Sequence, residues 1–284
     1  MGLITKNHVL KKILLIFSMI CLSGCSNGIL SPHGEIVKQE YHLILTSVVM
    51  MLLIVIPVIF MTGYFVWKYR DKHSNHEATY SPNWNFSYAI EFFIWSIPCI
   101  IIFILAIISW RSTHNLEPSK PIVSNYHPIN IEVVALDYQW LFIYPKYNIA
   151  TINEIVFPID TPILFHITSH SVMNSFFIPS LGSQIYAMNG MISKLYLIAN
   201  DVGKYKGISA NYSGRGFSDM KFSVYAVSSN DKFYDWVNDV KRSNLALNKF
   251  DEFKKLSKID EHYLVKYFSN VLPNLFDQIV RDKN

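Results

Sequence analysis

The chain has 284 residues, 51% of them hydrophobic and only 16% charged. Its mean hydropathy of +0.21 is too high for an ordinary soluble protein and points to membrane segments. The net charge of +4 is spread along the chain with no basic block, which excludes a nucleic-acid footprint.

The N-terminus reads as a secretory signal. Lys6, Lys11 and Lys12 precede a short apolar run, 13–22, which leads into LSGC at 22–25. Small residues before a cysteine are the pattern of a bacterial lipoprotein signal. Residues 1–24 are therefore expected to be removed, leaving lipid on the sulfur of Cys25. Cys21 leaves with the signal. The third cysteine, Cys99, lies in an apolar run and is expected to be a small buried hydrophobe. No cysteine follows residue 99, so the exported part has neither a disulfide nor a thiolate ligand.

Residues 25–42 form an N-terminal segment expected outside the membrane. Two apolar runs follow, 43–67 and 89–110, each long enough to span the hydrocarbon core as a helix. Each holds one proline, Pro57 and Pro98, tolerable in membrane helices as a local kink. Trp67, Trp84, Trp95 and Trp110 lie within or near their ends as interfacial anchors. The connecting loop 68–88 begins with Lys68, Arg70 and Lys72, and the positive-inside rule places it in the cytoplasm. Both termini then face the periplasm, in agreement with a lipid on Cys25.

The composition changes after Trp110. A linker at 111–121 leads into a β-pattern, and 111–228 reads as one exported domain. In MKFSVYAV, Met220, Phe222, Val224 and Ala226 share one strand face; in SKLYLIA, Leu195 and Leu197 alternate with Lys194 and Tyr196. Turns fall at NIA, IDTP, MNG and NDVGK. Short strands at this spacing predict an antiparallel β-sandwich. Residues 229–284 read as helical. Phe233, Trp236 and Val237 stand near helical spacing, and a second helical stretch is interrupted by Pro273.

A transmembrane hairpin, a lipoprotein signal and an exported sandwich together resemble subunit II of the haem–copper terminal oxidases. Residues 153–191 resemble the first half of that family's cupredoxin domain, above all VMNSFFIPSLG at 172–182; GKYKGISANYSGRGFSDMKF, 203–222, resembles the second half. WKYR, YSPNW and THNLEPSKPI resemble the copper-lacking, quinol-oxidising branch.

In the copper-bearing branch this domain holds a dinuclear centre on a Cys-x3-Cys-x3-His-x2-Met loop with a further histidine upstream. The resemblance puts Ser209 and Ser213 at the thiolate positions, Phe217 at the loop imidazole, Asn174 at the upstream histidine and Asn211 at a carboxylate position. Met220 alone is retained. A lone thioether does not hold copper, and serine hydroxyls stay protonated near neutral pH, so no metal is expected in this chain.

The resemblance implies further expectations. Haems, the active-site copper and the quinol site would lie in subunit I, against which this chain packs its two helices alongside the other membrane subunits. The complex would oxidise ubiquinol, reduce dioxygen to water and move protons across the bacterial inner membrane. No catalytic residue is expected here. Glu91, at the cytoplasmic start of the second helix, would lie near the mouth of a proton path, although a carboxylate in a first turn also simply complements the helix dipole. Trp140, in DYQWLFIY, would pack against subunit I. His166 and His170 read as ordinary polar residues, too few for a metal site. His33, His114 and His127 read as unpartnered. Arg215 and Asp219 would either pair across the loop or contact a neighbour. Two other readings stand beside this one: a copper-free membrane lipoprotein serving as scaffold or assembly factor, and a menaquinol oxidase subunit II.

Overall fold

The computed structural model describes residues 29–69, 86–124, 126–257 and 264–282. The signal peptide, Cys25 and most of the 68–88 loop lie outside the described residues. Two long helices open the chain, α1 (Glu35–Lys68, 34 residues) and α2 (Tyr88–Asn115, 28 residues). Both outrun the apolar runs that predict them. At 1.5 Å per residue they measure about 50 and 40 Å, more than the hydrocarbon core needs. α1 is continuous through Pro57 and α2 through Pro98.

Of the residues in these helices only Val37 and Ile101 are buried, while Phe60 and Phe103 are 72% and 66% exposed. So wide an apolar surface needs lipid or other helices around it, and the two helices are membrane spans. Cys99 belongs to that surface. It is exposed, not buried as its apolar neighbours suggested, because the sequence around it is apolar on every side of the helix.

The start of α1 is seated firmly on the exported domain. A Cβ on Gly34 would stand 2.4 Å from the Ile198 carbonyl oxygen, so only glycine permits this approach. Glu40 accepts a hydrogen bond from Ser183. His33, expected to be unpartnered, contacts Asp201 through Nδ1 (3.0 Å) and Ser31 through Nε2 (3.1 Å), with its ring beside Tyr205. Its partner Asp201 is 168 residues away in sequence, which hides the pair from sequence reading.

The exported domain is a two-sheet sandwich. Its strands are β1 (Ile129–Ala135), β2 (Trp140–Tyr144), β3 (Ile149–Ile152), β4 (Glu154–Pro158), β5 (Ile163–Ser169), β6 (Asn174–Phe177), β7 (Ile185–Ala187), β8 (Ser193–Leu197), β9 (Gly203–Ser209), β10 (Lys221–Val227) and β11 (Lys266–Phe268). One sheet runs β11-β3-β2-β1-β5-β8 and the other β4-β10-β9-β6-β7. The pairing is not wholly antiparallel, because β1 lies parallel to β5 and β10 parallel to β4. The inward faces meet in one core. Met220, Phe222, Val224 and Ala226 point into it together, as the period of two predicts.

Helices α3 (Asn230–Lys241), α4 (Phe250–Ser257) and α5 (Leu275–Arg281) complete the tail. The tail is not purely helical, since β11 lies within the stretch that reads as a helix. Its pairing with β3 and the bond from Tyr267 Oη to Glu154 Oε1 (2.6 Å) outweigh local propensity. Around it the tail builds a second core on the outer face of the first sheet. Phe253, Leu256, Phe276 and Ile279 cover Leu141 and Ile143 there. All five residues of β2 are consequently buried.

Glu132 lies on that covered face, level with His166 on β5, which in turn opposes Lys194 on β8. Burial, and after it the charge of Asp277 on α5, pushes the Glu132 carboxyl up to about 7. Burial and Lys194 push His166 down. The folded chain thus keeps a proton on Glu132 that the unfolded chain releases near the ordinary carboxyl value of 4.5. The Glu132 contribution to stability is expected to fall as pH rises from about 4.5 to 7 and to level off above, while the lowered His166 acts in the opposite sense as it loses its proton. A shift of that size corresponds to up to about 3 kcal/mol, and screening at a half-buried position leaves about 1–2 kcal/mol. Urea denaturation of wild type and Glu132→Gln at pH 5.5 and 8 measures this. The variant should be the more stable of the two at pH 8, with a flatter profile.

Candidate functional site: a degenerate metal loop

The loop between β9 and β10, residues 210–220, is closed by its own backbone. Ser209 N–H donates to the Met220 carbonyl (3.1 Å), and Ala210 N–H donates to the Ser175 carbonyl on β6 (3.0 Å). A single 3-10 turn, Phe217–Asp219, brings the chain back to β10. These bonds carry the loop past Asn174, the first residue of β6.

The side chains at the copper positions occupy one another. Ser209 Oγ donates to Asn174 Oδ1 (3.1 Å), with Ser209 4% and Asn174 1% exposed. Asn174 Nδ2 donates to the Val172 carbonyl (3.0 Å) and Asn211 Nδ2 to the Met173 carbonyl (3.3 Å). Met220 is buried in the sandwich core. Phe217 sits edge-on to Tyr212, ring centroids 5.8 Å apart. The Ser213 hydroxyl is buried with no partner among the described residues. Asn174, Ser209 and Asn211 are thus brought together, and Ser213 and Phe217 stand in the same loop outside their hydrogen bonds.

This donor set does not fit a copper pair. It offers a neutral hydroxyl and amides where two bridging thiolates are needed, and an aryl ring where an imidazole is needed. Among the described residues no group of three or more His, Cys, Asp or Glu side chains could hold a metal. His170 is directed instead to Asp282 (3.7 Å) and the edge of Phe253. Arg215 and Asp219 form no ion pair with each other among the described residues.

Two features correct or extend the reading of the aromatic run. Trp140 has no surface to offer a neighbouring subunit. It is fully buried, with its ring 5.4 Å from Phe176 and 5.8 Å from Phe222. The residue that meets the loop is Tyr138, held at a left-handed φ of 60°. A Cβ on Gly214 would stand 2.6 Å from the Tyr138 hydroxyl, and one on Gly216 would stand 2.5 Å from Tyr138 Cγ. The SGRGF glycines are therefore shaped by this ring. Two glycines one residue apart were the available signal, but their partner lies far off in sequence.

A copper-ligand loop rebuilt from neutral groups, on a sandwich carried by two membrane helices, defines a class. Residues 123–227 match the family described as cytochrome c oxidase subunit II, periplasmic domain, and residues 241–282 match the COX aromatic rich motif. Among curated relatives, cytochrome bo(3) ubiquinol oxidase subunit 2 of Buchnera aphidicola subsp. Baizongia pistaciae is 51% identical, over 97% of this chain and 95% of its own length. The protein of the same name from Pseudomonas aeruginosa is 51% identical over 92% of this chain and 78% of its own. Ubiquinol oxidase subunit 2 of Acetobacter aceti is 49% identical over 94% and 86%. The chain belongs to the haem–copper oxidase subunit II family, in its bo-type, quinol-oxidising branch.

Replacing Ser209 by alanine strands the buried Asn174 carbonyl. We expect a loss of about 1–3 kcal/mol in denaturant unfolding. Incubation with copper should leave the visible spectrum of wild type and variant equally free of thiolate–copper bands.

Proposed function

We propose that this chain is subunit II of a proton-translocating ubiquinol oxidase of the bacterial inner membrane. The observation that carries the reading is the hydrogen bond between Ser209 and Asn174, which fills the copper position with neutral groups. Such a loop relays no electrons. A membrane-dissolved donor needs no external relay, because it reaches a haem in subunit I directly. Two ubiquinols give up four electrons and release four protons outside, and dioxygen takes up the four electrons with four protons from the cytoplasmic side to form two waters. Haem and copper supply that chemistry in subunit I.

This chain's residues bind, orient and cap. α1 and α2 turn apolar faces to lipid and to subunit I. Around the inert loop, Val172, Met173 and Tyr212 are 58%, 42% and 77% exposed, an apolar rim suited to a subunit interface. Glu91 is the acidic residue of α2, exposed in its first turn. It stands at the cytoplasmic end and feeds protons toward subunit I. Lipid on Cys25 fastens the N-terminus, and both termini face the periplasm.

Purification by a tag on this chain in mild detergent should bring down a haem-bearing partner. The preparation should consume oxygen with ubiquinol and not with reduced cytochrome c. Loss of the haem partner would favour the scaffold reading, and activity with menaquinol alone would reassign the quinone. Glu91→Gln should slow turnover and proton uptake severalfold, with Glu91→Asp restoring most of both. An unchanged rate in Glu91→Gln would leave that carboxylate with its dipole role only.

A further inference from the structure

The two sheets are finished differently. The tail covers the outer face of the first, whereas on the second the outward Lys204, Lys206 and Lys221 are exposed. A cavity of about 830 Å³ opens over these residues. It extends to Ser31, His33 and Ser180, and its described lining holds three lysines and no carboxylate.

The lysines are set close. Lys204 and Lys206 share a face of β9. Lys206 pairs with Ser223 and Lys221 with Ile208, so Lys206 and Lys221 are diagonal neighbours, about 7–8 Å apart. Like charges at this spacing repel unless an anion lies between them. Lys204 is steadied over the ring of Tyr225 at 5.0 Å. Of the nearby carboxylates, Asp201 is engaged by His33, and Glu154, whose charge reaches Lys204, is engaged by Trp236 and Tyr267.

The cavity also adjoins the membrane. Ser31 and His33 immediately precede α1, whose apolar run begins at Leu43. The helix rises about 12 Å between Glu35 and Leu43. The headgroup zone occupies about 5–7 Å of that height. The remaining gap is one that extended lysine stems can bridge.

We propose that this cavity binds the phosphate headgroup of an anionic phospholipid. Lys204, Lys206 and Lys221 hold the phosphate at the mouth of the cavity, while Pro179, Val202 and Ile208 line its wall against the rest of the headgroup. A free phosphate shares the charge, but it fills little of the space and leaves the apolar lining empty.

The test titrates the full chain in its detergent-solubilised complex with phosphatidylglycerol, phosphatidylcholine or inorganic phosphate, reading bound lipid by native mass spectrometry. Phosphatidylglycerol should bind in preference to phosphatidylcholine. Each Lys→Gln change should weaken it about fivefold, and K204Q/K206Q/K221Q together about a hundredfold. Lys232→Gln with Lys241→Gln, on the tail, should change nothing. Equal melting temperatures for the two multiple variants establish that both fold. Undiminished phosphatidylglycerol binding by the triple variant overturns the proposal. So does displacement of the lipid by inorganic phosphate at equal concentration, which would make this a free-anion site.

Discussion

The stack of rings beneath the 210–220 loop is the constraint on which the rest depends. Phe176 and Phe222 lie nearly parallel, 5.2 Å apart at 9°, and Trp140 and Phe142 close over them at 5.4 and 5.2 Å. Aromatic side chains contribute the largest burial per residue, and packed pairs add about 0.5–1.5 kcal/mol each beyond that burial. Trp140 comes from the first sheet and Phe176 and Phe222 from the second, so the same contacts fix the distance between the sheets. With the strand ends fixed from below, the loop keeps its path without a metal to gather it. A chain in which copper organised the loop would have lost the shape along with the ligands.

The polar groups above the stack follow from its rigidity. Once β6 and β9 are held side by side, Asn174 and Ser209 face each other and must satisfy one another, since each is almost sealed from water. The glycines of SGRGF answer a second fixed ring, Tyr138, which leaves no room for side chains. Chemistry of this kind stabilises a surface and does nothing to an electron. It accords with membership of a branch whose relatives are named for quinol rather than for cytochrome c.

The sandwich is tied to its surroundings at two places. At the membrane end, Gly34, His33 and Glu40 join α1 to the loops around Leu181, Asp201 and Ser183. At the β4 edge of the second sheet, Glu154 accepts hydrogen bonds from Trp236 on α3 and Tyr267 on β11, drawing two parts of the tail onto one carboxylate. The result is a domain with few independent parts, positioned by its helix and braced by its tail.

Much of this was legible in the residues because it is local. Whether a segment spans a membrane depends on its own apolar length, and whether a strand buries one face depends on its own alternation, as in Met220 to Ala226. The loss of the copper ligands is legible for the same reason, since hydroxyl, amide and phenyl groups lack the donors wherever they are placed. Other features depend on which distant segments meet. Trp140 reads as a surface aromatic until the second sheet closes on it, and the 266–268 segment reads as helix until β3 offers it an edge. His33 finds Asp201, and Tyr138 finds Gly214 and Gly216, only after the sandwich folds. The sequence alone determined the membrane spans, the sandwich and the absence of copper ligands, because these follow from side-chain chemistry at short range. The tertiary structure decided which residues are sealed inside, which are paired and where the lysines gather, because burial and proximity are properties of the packed chain.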